Sequence, residues 1–500
     1  MKLTALGHSC FLLEIAPANG ERPVRILGDP WLSDYLIGDL QGRYPRMRID
    51  NAAFTPLDAI FLSHSHTDHL DPYALIRLWN ELDSRPVILL PQSLLFLEEM
   101  FAEYLPAAEL VFLRHDEAIS FRGLDIKAFF NPETGATNED DVMVLTVRNE
   151  SELFVNESDA VLPFYHPMGR FKVQELIGNL DVETFCFHCI RNEGEATMSM
   201  LASRNSEDRA ERLERSVERT YEEIHEIFAP HDELDEDLWM HERLVRFVSG
   251  QGICYPQQVD KRWNRVLFPI RREDRVRMEQ EIAESYECPI TIEEFEPGVT
   301  YELRAGEIVS QEAAQGVELL DAESDRQFDP ALELFENFPE GPLRSEARDV
   351  ESQKQRILAA LNERFLPHLI GSRNPPIEHI LGESGGEYRV RVRFGTTVDP
   401  EDLDYRLSFK QLVFSEAAAE GDPDEHYWAN DIEDVLDGTA DEFSTFARHP
   451  LPARAQRFWL SFGLPYLNND LIEQKLRYHF ERASKGKSLE EWVLAFYKKL

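Results

Sequence analysis

The segment Ser63-His64-Ser65-His66-Thr67-Asp68-His69 places three imidazoles and one carboxylate within six positions, just after the apolar run DAIFL and before Leu70-Asp71-Pro72. A strand-to-helix loop of this composition can hold two adjacent cations, with His64 and His66 facing one ion and Asp68 and His69 the other. Imidazole nitrogen and carboxylate oxygen suit zinc, iron or manganese, and a site with unfilled positions carries water or substrate. Helix capping alone does not explain four ligand-type residues at a strand end. The chemistry this predicts is metal-assisted: two cations about 3.5 to 4 Å apart acidify a bridging water and polarise a carbonyl or phosphoryl oxygen.

Such a loop needs rigid elements on both sides. The runs LTALGHSCFLLEI, PVRILGDPW and DAIFLSH are apolar, β-branched or aromatic and are cut by Gly, Pro and Asn, so they read as strands. DPYALIRLWNEL reads as a helix with Leu75, Leu78 and Leu82 on one face, and PVILLP as a short buried strand. This strand-helix-strand rhythm predicts an α/β fold. From Leu110 to Pro163 short strands return (ELVFL, LDIKAFF, VMVLTV, SELFV). Leu213, Val217, Tyr221, Ile224 and Phe228 then recur at helical spacing between Ser203 and Phe228. The following HDELDED reads as a solvated acidic loop. The expected organisation is a first domain over 1–310 with a helical excursion at about 195–285, a polar connector over 311–350, and an α+β domain over 351–500. That last unit holds the strands EYRVRVRF and YRLSF, and its aromatic cluster Phe458, Trp459, Phe462 and Tyr466 reads as core or dimer packing.

The 500-residue chain is 43% hydrophobic, enough for a large core, and its 52 basic against 93 acidic side chains give a net charge of −41. That field repels nucleic-acid backbones and anionic lipid, so neither is an expected partner. No basic stretch precedes an apolar segment at MKLTALGHSC, and no run approaches the roughly 20 apolar residues of a membrane span. Five cysteines argue against a disulfide framework. The expectation is a cytoplasmic protein acting on a small molecule, with homo-oligomerisation open.

The histidine segment resembles the metallo-β-lactamase fold superfamily, whose His-x-His-x-Asp-His signature is matched by His64, His66, Asp68 and His69. Gly7-His8-Ser9 followed by FLLE, and Ile26-Leu27-Gly28-Asp29-Pro30-Trp31, resemble the opening strands of the branch holding ascorbate-phosphate lactonases and N-acyl-phosphatidylethanolamine phospholipases. The resemblance implies an αββα sandwich and a supporting role for Asp29 beside the ligand loop; a plain turn residue before Pro30 is the alternative. Most of the chain is also similar to the non-Rieske part of CMP-N-acetylneuraminate hydroxylases, through Asn131-Pro132-Glu133, Asp159 four residues before Pro163, Pro297-Gly298, and the stretch from YRLSF to RFWLSF. It departs from them in lacking two separated Cys/His pairs, because Cys186 and His188 have no Cys-x-x-His mate.

By this resemblance Asp159 is the carboxylate that bridges both ions, with Glu157 as its rival. Asn131 stands where a histidine is usual, which makes Glu133 a candidate ligand and tilts preference toward iron or manganese. A late histidine on the second ion would come from His188, His225, His231 or His241. Three readings follow. The first is a dinuclear metallohydrolase acting on an ester, amide, lactone or phosphodiester, with Asp68 orienting the attacking water. The second is a non-haem diiron oxygenase needing an external reductase, and the third a metal-stabilised binding module with one decayed site.

Overall fold

The computed structural model describes residues 1–18, 20–39, 41–129, 143–159, 182–189, 200, 203, 205–228, 239–255, 261–320, 327–332, 341–371, 382, 386–408, 410–441 and 468–497. Asn131, Glu133, Pro163, His231 and the aromatic cluster from Phe458 to Tyr466 lie outside the described residues.

Two large mixed sheets carry the site. The first runs, edge to edge, Glu307–Ala313, Val299–Arg304, Lys2–Ala5, Phe11–Ile15, Val24–Gly28, Ala59–Phe61, Val87–Pro91 and Leu110–Leu113. Its neighbours are antiparallel as far as Val24–Gly28 and parallel beyond. The second runs Thr291–Glu294, Leu244–Val248, Thr184–Cys189, Glu152–Ser158, Val144–Arg148, Leu124–Phe129 and Ile119–Phe121, parallel in its first half and antiparallel in its second.

Strand side chains alternate between faces, and here both faces are covered, which is why these strands read as continuous apolar runs. Leu13, Ile26, Ala59 and Leu89 of the first sheet meet Ile126, Leu145, Phe154 and Val245 of the second in a central core. On the far side of the first sheet, Leu12, Leu27, Ile60 and Leu90 pack under the helix Pro72–Glu81. On the far side of the second, Val155, Phe187 and Leu244 pack under the helices Ser206–Phe228 and Arg272–Ser285. The layers are therefore helix, sheet, sheet, helix, the αββα sandwich implied by the sequence.

Three features differ from the sequence reading. The segment 195–285 is not wholly helical, because Leu244–Val248 pairs in parallel with Thr184–Cys189 as an interior strand of the second sheet. The stretch 311–350 contributes Val317–Leu319, which pairs with Met47–Ile49. The region after 351 forms a four-stranded sheet (Val413–Ala418, Pro400–Ser408, Glu387–Gly395, Glu425–Trp428) with its own core, yet its helix Asn469–Ser484 returns to the helices that cover the first sheet. Ile472, Leu476 and Phe480 join the core around Pro72–Glu81, and Tyr73 Oη lies 3.2 Å from His479 Nδ1. No helix among the described residues is long and apolar enough to cross a membrane.

Candidate metal centre

The parallel strand Ala59–Phe61 ends at the histidine loop, and the loop ends at a well-made helix start. Asp71 caps that helix by accepting from the amides of Tyr73 and Ala74, with Pro72 in the first turn. Its other oxygen accepts from the amides of Leu32 and Ser33. The loop is thus pinned to two chain segments, and its side chains project at the carboxyl ends of neighbouring strands.

Asp29, at the end of Val24–Gly28, is fully buried and supports the loop. It accepts from the Ser63 amide (2.7 Å), the Ser63 hydroxyl (2.8 Å) and, at 3.0 Å, Nδ1 of His69. Ser63 Oγ in turn lies 2.9 Å from His64 Nδ1. With the Ser63 proton given to Asp29, both rings present Nδ1–H to the protein, leaving Nε2 to face the site. Neither of these Nε2 atoms makes a hydrogen bond among the described residues, although both are buried. An unsatisfied buried polar atom costs about 1–3 kcal/mol, so a ligand is the expected complement.

Asp159 arrives from the second sheet. A register shift between Asn156 and Ser158, together with a left-handed Ser158 (φ 50°), turns the chain there. Asp159 Oδ2 consequently sits 3.5 Å from His64 Nε2 and 3.3 Å from His69 Nε2. In a regular strand Glu157 would share its side. After the bulge Glu157 is instead buried against Arg246, 3.4 Å away. That irregularity puts Asp159, and not Glu157, beside the histidine loop.

On the other flank, Asp68 Oδ2 lies 3.5 Å from His69 Nε2 and 2.8 Å from His8 Nε2. Two sets of three donor atoms therefore converge, His64, His69 and Asp159 on one side and His8, Asp68 and His69 on the other. His66, paired with His64 on spacing, is in neither of these two groups. The turn in which His69 and Leu70 donate to the His66 carbonyl leaves the His66 ring half-buried, packed against His64 at 4.3 Å between centroids.

Electrostatics favour positive charge here. Burial opposes the charge on Asp68, but the rings of His69 and His8 outweigh it and hold the carboxyl well below its usual range. Asp159 is depressed likewise by His69 and His64 against the effect of burial. His69, despite burial, is raised well above the ordinary histidine value by Asp159, Asp68 and Asp29. Three carboxylates around one imidazole, with buried nitrogens facing inward, fit divalent cations in both charge and donor type. His8 (φ 47°), Asp29 (φ 42°) and Ser158 (φ 50°) all hold left-handed backbone around this one site. Strain of about 1–3 kcal/mol each persists where the surroundings fix the geometry.

The described late-histidine candidates, His188, His225 and His241, are in neither group. His188 is a buried histidine with both ring nitrogens engaged, Nδ1 with Asn156 Oδ1 (2.8 Å) and Nε2 with Ser249 Oγ (2.9 Å). His225 meets Tyr286 on an exposed helix face, and His241 packs against Phe185. Sequence reasoning assigned no role to His8, Ser63 or Ser158; the available signal for His8 was its turn, Gly7-His8-Ser9, between two strands. A separate cleft of about 210 Å³, lined by Tyr44, Gln251, Arg271 and Arg272 among others, includes none of the histidine-loop residues.

The two sheets, their helical layers and the ligand loop after the fourth strand of the first sheet decide the fold. It is a metallo-β-lactamase-like αββα sandwich. No family model matches the chain. A stretch of 91 residues is 33% identical to a putative Rieske 2Fe-2S iron-sulfur protein of Mycolicibacterium smegmatis, covering 18% of this chain and 16% of that one. Among solved structures it is similar to CmlA, a diiron β-hydroxylase from Streptomyces venezuelae, at 17% identity and a TM-score of 0.35, over 61% of this chain and 54% of that one. It is also similar to the metallo-β-lactamase fold protein YhfI from Bacillus subtilis, at 14% identity and a TM-score of 0.23, over 38% of this chain and 72% of that one. The chain thus spans about half of the hydroxylase's length and far less of the mycobacterial relative's.

Proposed function

We propose that the protein is a metal-dependent hydrolase with a dinuclear site, acting on an ester, amide, lactone or phosphodiester of a small molecule. The observation that carries this reading is the convergence on one carboxylate oxygen of two buried histidine nitrogens that make no hydrogen bond among the described residues. His64, His69, Asp68 and Asp159 would hold the ions, with His66 beside His64 and Glu133 as further donors. Two divalent ions there, zinc or iron with manganese as a third option, would acidify water and polarise the substrate's carbonyl or phosphoryl oxygen. The chain's own groups do the rest. Asp29 and Ser63 fix the ring orientations, and Asp159 ties the second sheet to the first. Asp68, partly exposed, orients the attacking water and accepts its proton.

A second reading is a non-haem diiron oxygenase supplied by an external reductase. It is favoured by the two carboxylates among the donors and by the hydroxylase and Rieske names of the similar proteins. Elemental analysis of anaerobically purified protein, paired with turnover assays, separates the readings. Zinc or manganese with oxygen-independent cleavage of model esters or phosphodiesters supports the hydrolase; iron with reductant-dependent oxygen uptake supports the oxygenase. Protein that contains no transition metal and takes none up removes both and leaves a binding module.

A further inference from the structure

We infer that His8 supplies the third protein ligand of the ion held by Asp68 and His69, an inference that rests on the dinuclear reading above. His8 sits in the turn joining Lys2–Ala5 to Phe11–Ile15, a turn closed by hydrogen bonds from Leu6 N to Cys10 O and from Cys10 N to Gly7 O. Its side chain is buried, and its ring stands edge-on to Trp31 (5.6 Å) and to His69 (5.8 Å). Two donors bound to one ion at about 2.0–2.2 Å, at angles near 90–110°, lie about 3.0–3.5 Å apart. The separations from Asp68 Oδ2, 2.8 Å to His8 Nε2 and 3.5 Å to His69 Nε2, bracket that range, and the three donor atoms form one compact group.

The second sheet leaves this position to His8. Beyond its strand Leu244–Val248, Ser249 Oγ is engaged with His188, and the Gln251 amide is held by Ile270 O and the Arg272 N–H. Gly252 follows, and a Cβ there would stand 2.4 Å from the Cβ of His8. The end of this strand provides a seat for the His8 turn and no described side chain that reaches the ions. His188, which meets Ser249 at that end, has both nitrogens bonded. The left-handed backbone of His8 is then the conformation that turns its ring toward Asp68.

The alternative is that His8 only steadies Asp68 through a hydrogen bond, and the test separates the two. Wild-type protein, His8→Ala and His8→Gln are stripped with chelator and titrated with zinc(II), and bound metal is counted by mass spectrometry. Cobalt(II) absorption reports the ligand field, and circular dichroism checks the fold. The expected result is two zinc ions on the wild type. Both variants should hold the second ion at least about tenfold more weakly and show an altered cobalt spectrum. Glutamine can donate to Asp68 but is a poor zinc ligand, so full recovery in His8→Gln overturns the ligand role, as does unaltered two-ion binding by His8→Ala. If the wild type itself takes no zinc, the dinuclear reading falls and the inference falls with it. If the wild type binds two ions and the variants bind them equally, only the inference falls.

Discussion

His69 and His188 are both fully buried histidines near the ends of sheet strands or the loops that follow them, one in each half of the sandwich. Their surroundings differ in one respect. His188 is bonded on both nitrogens by neutral side chains, and burial with the nearby Arg246 pushes its pKa down to about 3. His69 is bonded on one nitrogen by Asp29, while the other faces Asp68 and Asp159 and makes no hydrogen bond among the described residues. A buried histidine that is satisfied belongs to the core; one that is half-satisfied and ringed by acid is waiting for a cation.

The sharpest test of this contrast removes each ring in turn. His69→Ala should abolish tight binding of the ion it shares with Asp68, and should lower turnover about a thousandfold or more. His188→Gln should leave metal content unchanged and cost only about 1–3 kcal/mol of stability. Metal loss in His188→Gln, measured beside His69→Ala, would break the distinction. A second contrast concerns acids. Glu279, flanked by Arg246 (2.8 Å) and Arg275 (2.9 Å), is held down to about 2 by those arginines despite its burial. Glu279→Gln leaves the arginines poorly paired and should destabilise the fold by about 3–5 kcal/mol in urea unfolding, with metal stoichiometry intact.

Asp29→Ala tests the opposite case, an acid that serves the site. Its loss frees the Ser63 and His69 donors, and zinc affinity should fall about 10- to 100-fold in competition titrations. A change below threefold would make Asp29 a simple turn residue. The smallest effect is on pH dependence. His188 and His479 are both pushed down to about 3, mainly by burial, so between that value and about 6.5 the unfolded chain binds protons that the folded chain refuses. Stability should therefore fall as pH falls below about 6.5, by about 1.4 kcal/mol per pH unit for each histidine. Urea midpoints at pH 7 and 5.5 measure this, and His479→Gln should remove its share.

The sequence makes the histidine loop legible because local spacing carries it: His64, His66, Asp68 and His69 sit on one short loop, and the flanking apolar runs announce strands with both faces covered. Asp159 is legible only through its resemblance, since a regular strand would offer Glu157 equally. The bulge that separates them is a pairing property of two strands, and nothing in SELFVNES marks it. His8 is hidden for a different reason. It lies 60 residues from Asp68 in the chain, and only strand order brings its hairpin alongside. The return of the helix Asn469–Ser484 to the helix Pro72–Glu81 is a contact at still greater separation, invisible to any local pattern.

That returning helix makes the half that carries the histidine loop a poor candidate for excision. A fragment ending near residue 350 would strip Ile472, Leu476 and Phe480 from above Leu75, Leu78 and Trp79 and bare a greasy stripe beside the ligand loop. Such a truncation should self-associate during expression, whereas re-supplying the terminal helices as a separate peptide should rescue its solubility.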